Sequence, residues 1–174
     1  MGEINFSSFP RSGNHFAKDL IQNSLPEIQL NWDGYHRFSF LNNKYNSFTI
    51  IRKPEDCIAS WIVYNKDNRE DRVDKVAEWY VAFYEQCKKN NTTTIMFLDL
   101  ISKPLVVLQF LCNIFNILNT KFNLPNIDKL NKNSTEMTEK EAVKKIKLEV
   151  LDSKFYPKAL NIFNEFNSVN PLLE

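Results

Sequence analysis

Phe48–Ile51 lacks the polar alternation of a half-exposed strand, which fits a strand covered on both faces. Three other short runs, Glu3–Phe9, Ile28–Leu30 and Thr93–Leu98, also read as strands, and helix-period segments separate them. Asn14–Ser24 places Phe16, Leu20 and Ile21 on one face, Pro54 opens a second helix, and Asp71–Lys89 carries Val76, Trp79, Tyr80 and Phe83 at helical spacing. Beyond Pro104 the chain is helical again, Thr120–Thr138 is polar and irregular, and Glu139–Leu151 and Tyr156–Phe166 are closing helices. Strands alternating with helices predict a three-layer α/β fold, a parallel β-sheet flanked by helices with its ligand loops at the carboxyl ends of the strands. No internal repeat or linker appears, so residues 1–174 read as a single domain.

Composition narrows the partners. A chain that is 43% hydrophobic and 25% charged is that of an ordinary globular protein, and a formal net charge of +1 argues against a nucleic-acid partner, which calls for a broad basic surface. Cys57, Cys87 and Cys112 are odd in number and fall in helical segments, so they read as buried thiols of a reducing compartment, the cytoplasm. The first strand begins within a few residues of Met1, so no signal peptide or amino-terminal anchor is visible. Pro104–Leu118 is apolar but shorter than the ~20 residues of a membrane span and is broken by Gln109, Asn113 and Asn116.

Chemistry concentrates in two loops. Ile4–Phe16 passes from an apolar run through Pro10-Arg11-Ser12-Gly13 into a helix, and a turn that sets an arginine, a serine and free backbone amides at a helix amino terminus is built to hold a phosphate or sulfate. Gly13 is one of only three glycines, and it falls where the backbone must approach such an anion closely. The second loop, in Ser47–Trp61, follows a strand with Arg52, Pro54, Asp56 and Ser60. A third segment, Phe97–Phe115, has a strand exit, Phe97-Leu98-Asp99-Leu100, then Pro104 and an amphipathic helix.

These segments resemble, in order, three motifs of the sulfotransferases that use 3′-phosphoadenosine 5′-phosphosulfate (PAPS): P-(K/R)-S-G-T-T-W, R-x-P-x-D-x-x-x-S and (Y/F)-E-D-L-x-x-x-P. Asn14, His15 and Phe16 replace the two threonines and the tryptophan of the first. The resemblance covers about the first two-thirds of the chain and implies a P-loop-like nucleotide-binding architecture and transfer of a sulfuryl group to a hydroxyl or amine, with PAPS as co-substrate and no metal. It implies that Arg11, Ser12, Gly13, Asn14 and His15 line the 5′-phosphosulfate, and that Arg11 also stabilises the leaving group. Phe16 either faces the adenine or is a core residue of the first helix. Arg52 and Ser60 hold the 3′-phosphate, while Pro54 and Asp56 shape the helix start. Lys132, within Asn131-Lys132-Asn133, is either a reduced form of the family's missing R-K-G segment or a solvated lysine.

His36, between the two loops, is the candidate general base, against the alternative of a loop histidine packed among Trp32, Tyr35 and Phe38. Glu85, Glu78 and Asp33 are the carboxylate alternatives. The acceptor class stays open among glycan, small molecule, peptide and lipid. Two other functions compete: a P-loop kinase-like phosphotransferase, although the G-x-x-x-x-G-K-(S/T) spacing is absent, and an inactive PAPS- or PAP-binding module.

Overall fold

Glu3–Phe6 forms β1 and pairs in parallel with both β2, Gln29–Trp32, and β3, Ser47–Ile51, while β3 pairs with β4, Thr93–Met96. The computed structural model describes residues 3–42, 46–117, 122, 137–170 and 172, so Lys132 and most of the expected irregular segment lie outside the described residues. Strand order is β2-β1-β3-β4, with Phe6 opposite Trp32 on one side and Phe48 on the other. The Phe6 and Phe48 rings stack at 4.6 Å, a cross-strand aromatic pair at the centre of the sheet.

The helices are α1 (Asn14–Ser24), α2 (Pro54–Tyr64), α3 (Arg72–Lys89), α4 (Phe97–Ser102), α5 (Pro104–Ile114), α6 (Met137–Leu151) and α7 (Tyr156–Ser168). Side chains alternate across the pleat, so Ile4, Phe6, Phe48, Ile50 and Ile95 face α1, α4 and α5. Ile51 and Met96 join the opposite cluster with α2, α3, α6 and α7. The result is the expected three-layer α/β fold with a parallel sheet between helices. Prolines open α2 and α5 at the first turn, where a missing N–H removes no helical bond. Among the described residues, no helix is long and apolar enough to cross a membrane.

Two strands stop short of their sequence limits. After Phe6, Ser7 turns its hydroxyl to the Arg37 carbonyl at 3.3 Å, and the Phe9 ring leaves the sheet to meet Trp79 and Tyr80 at 4.9 and 5.2 Å. After Met96, Phe97 already begins α4. The second strand is displaced the other way, running to Trp32 instead of Leu30, because all four of its residues find partners on β1. Cys57, Cys87 and Cys112 are buried thiols on helices, and burial pushes the first two well above the ordinary thiol range.

Candidate anion site at the carboxyl end of the sheet

The chain leaves β1 toward β2 by α1 on one face and reaches β4 from β3 by α2 and α3 on the other. The strand order therefore reverses direction between β1 and β3, where an open parallel sheet leaves a crevice. The loop after β1 and the segment after β3 both end there. In the first, the Ser12 amide donates to the Phe9 carbonyl at 3.3 Å, and Arg11 and Gly13 take left-handed backbone with φ of 60° and 100°. Gly13 caps α1 without a side-chain acceptor, and the first turn of α1 holds no acidic residue, so the unpaired amides there keep their partial positive charge.

The two segments are tied together. Arg52 Nη1 donates to the Arg11 carbonyl at 3.1 Å, and Arg11 Nε donates to Ser60 Oγ at 3.0 Å. Arg11 also lies over the Tyr64 ring at 5.0 Å, and Arg52 over the Phe97 ring at 4.7 Å. Asp56, Ser60 and Tyr64 recur every fourth residue and so share one stripe of α2. At the far end of that stripe Asp56 pairs with Lys147 and, more loosely at 3.9 Å, with Arg52. Among the described residues no carboxylate pairs with Arg11. Among the described residues, two guanidinium groups, a hydroxyl and an uncapped helix terminus thus come together beside the Asp56 carboxylate, itself taken up by a lysine, an arrangement that suits an anionic ligand.

Several expected ligand-lining side chains are turned to other work. Ser12 is fully buried, with Oγ 3.2 Å from Tyr84 Oη. Asn14 is buried, accepts from the Ser8 hydroxyl and donates to the Phe9 carbonyl at 3.3 Å, which holds the loop in shape. His15 is exposed and sets its ring edge to Trp32 at 5.2 Å. Phe16 belongs to the core with Ile4 and Phe6, the second of its two readings.

Gly13 is fixed by contact as well as by conformation. A Cβ there would stand 2.5 Å from the Phe97 ring. Gly13→Ala should therefore lower stability by about 1–3 kcal/mol, from left-handed strain and displacement of Phe97, as measured by urea unfolding. A parent-like midpoint would mean that neither constraint is real.

His36 stands on a turn built by Asp33. The buried Asp33 carboxylate accepts from the amides of Tyr35 at 3.1 Å and Arg37 at 2.7 Å and from Arg37 Nη2 at 3.3 Å. Burial pushes the Asp33 pKa up, but these donors together bring it below its ordinary value, so it stays a carboxylate that organises the turn. His36 takes left-handed backbone, φ 58°, with Nδ1 2.9 Å from the Ser8 carbonyl and 3.0 Å from Asn14 Nδ2. The Ser8 carbonyl can only accept and the Asn14 amide can only donate, so the two contacts call for opposite tautomers; both engage Nδ1, and no hydrogen bond among the described residues engages Nε2. Burial lowers the His36 pKa, opposed by the Ser8 carbonyl and Asp33 and aided by His15. Of the carboxylate alternatives, Glu85 pairs with Lys158 at 2.7 Å and Glu78 is exposed on α3.

Sequence reasoning passed over Tyr64, which lies under Arg11, and Tyr84, which reaches Ser12 from 72 residues away. No local pattern marks such contacts; the four-residue spacing of Tyr80 and Tyr84 was the available signal. No protein-family model matches this chain, and no curated protein matches it.

Proposed function

We propose that this protein is a PAPS-dependent sulfotransferase, with a P-loop-like loop after β1, acting on a hydroxyl or amine of a glycan, small molecule, peptide or lipid and releasing PAP. The observation that carries the reading is the convergence of Arg11, Arg52 and Ser60 beyond the carboxyl ends of β1 and β3, beside the uncapped first turn of α1. Those residues belong to two sequence segments that resemble the two PAPS-binding motifs. The three buried thiols fit a reducing compartment, and the activity is assigned to the cytoplasm.

PAPS supplies an activated sulfuryl group on a phosphate oxygen; the chain binds it, steadies developing charge and takes a proton. The Gly13 and Asn14 amides hold the 5′ end. Arg11, charged at any working pH, stabilises negative charge as it grows on the departing phosphate oxygen and does not act as an acid. Arg52 and Ser60 hold the 3′-phosphate. His36, in the tautomer that donates from Nδ1 to the Ser8 carbonyl, takes the acceptor's proton on Nε2.

Calorimetry with PAP tests the nucleotide assignment. Arg52→Ala should weaken binding by about 10- to 150-fold, the equivalent of ~1.5–3 kcal/mol for a lost charge-assisted contact. Ser60→Ala should lose less. Two variants that bind PAP as the parent does would remove the 3′-phosphate from this motif.

A further inference from the structure

The two anion-holding segments come from strands that are neighbours in the sheet, yet both are also gripped from one side by the same helix. Tyr80 and Tyr84 sit one turn apart on α3 and are fully buried. Tyr80 Oη donates to the Arg52 carbonyl at 2.8 Å. Tyr84 Oη donates to the Ile50 carbonyl at 2.6 Å. A phenol has a single proton, so with that proton on Ile50 the 3.2 Å contact to Ser12 runs the other way, from Ser12 Oγ to Tyr84 Oη. Phe9, two residues before Arg11, packs its ring on both tyrosines, at 5.2 and 6.4 Å. One helix face therefore holds the exit of β3 at Ile50 and Arg52 and the loop after β1 at Phe9 and Ser12.

We infer that Tyr80 and Tyr84 are positioning residues that set the distance between the site's two anion-holding segments, and so select a ligand carrying two anionic groups over one carrying a single group. The inference rests on the proposed PAPS reading for the identity of that ligand. Geometry explains why hydroxyls are used. An aliphatic side chain at either position would leave the Ile50 and Arg52 carbonyls without these donors. Burial holds both phenols far above their ordinary pKa, and both remain donors across the working range. Neither tyrosine touches the ligand; each acts through the backbone that carries Arg52 or through the hydroxyl beside Arg11.

Tyrosine-to-phenylalanine variants keep the rings and remove only the tethers. Parent, Tyr80→Phe, Tyr84→Phe and the double variant are titrated with PAP, which has two phosphate groups, and with AMP, which has one. Each single variant should bind PAP up to about tenfold more weakly, the scale of one lost hydrogen bond, with AMP affinity unchanged, and the double variant should narrow the PAP-over-AMP preference further. Thermal melts identify any variant that fails to fold, and the remaining ones carry the test. Equal losses for PAP and AMP would mean that the tyrosines serve only general stability, and unchanged PAP binding would mean that they set nothing; either result overturns the inference while leaving the PAPS reading intact. A parent that binds no PAP overturns the PAPS reading, and this inference with it.

Discussion

His36→Asn is expected to slow sulfuryl transfer by about 10²–10⁴-fold, the usual contribution of a positioned base, with PAP affinity unchanged. Asparagine suits the test because its carboxamide N–H can still reach the Ser8 carbonyl that now lies 2.9 Å from Nδ1, while nothing replaces Nε2. The loop keeps its tie and only the lone pair is lost. The rate of the parent should also fall on acidification, with its midpoint below the ~6.5 of a free imidazole, because burial lowers the pKa of His36. The same depressed pKa gives a sign for stability. As pH drops through ~6.5 the unfolded chain takes up this proton before the folded one, so the contribution of the neutral ring, complete above that value, is lost as pH falls through the lower folded pKa. A variant that kept the parent's rate and pH profile would move the base to a carboxylate. Glu78 would then be the first to replace, since Glu85 is engaged by Lys158 and Asp33 by three donors.

Arg11→Ala is expected to lower turnover by about 10²–10³-fold, the scale for losing one donor aimed at developing charge, and to weaken PAPS binding much less. The charge that Arg11 answers appears on the bridging oxygen only as the S–O bond breaks, so its contribution belongs to the transition state. Its present partners, the Ser60 hydroxyl and the Tyr64 ring, are neutral, so the guanidinium can turn to an anion without breaking an ion pair. Arg11→Lys should recover part of the rate, since it restores the charge but not the planar fork. Steady-state kinetics beside direct binding separates the two quantities. Equal losses in both would reduce Arg11 to a ground-state anchor.

The elements were legible wherever period and punctuation agreed. Pro54 and Pro104 marked helix starts, and the unalternating Phe48–Ile51 run marked a strand covered on both faces. Strand ends were not, because Ser7 and Phe97 change direction through partners distant in sequence, the Arg37 carbonyl for one and the Arg52 guanidinium for the other. The site divides in the same way. Pro10–Gly13 and Arg52–Ser60 are local patterns, each readable as an anion loop. Their union, through Arg11 to Ser60 across 49 residues and Arg52 to Arg11 across 41, is a property of neighbouring parallel strands. Helical spacing offered the core reading of Phe16 that the structure shows, and it put Tyr80 on an apolar face without revealing that the Tyr80 hydroxyl holds the Arg52 carbonyl.

The most direct measurement follows label from ³⁵S-PAPS into a panel of glycan, phenol, peptide and lipid acceptors while PAP is counted in the same tubes, with a parallel titration of PAP and of ATP with Mg²⁺. A sulfotransferase built on Arg11, His36, Arg52 and Ser60 binds PAP in preference to ATP and moves label into one acceptor class, with one PAP released for each group transferred. Tighter binding of ATP with Mg²⁺, or PAP binding with no label in any acceptor class, would contradict it, the first pointing to a phosphotransferase and the second to a nucleotide-binding module.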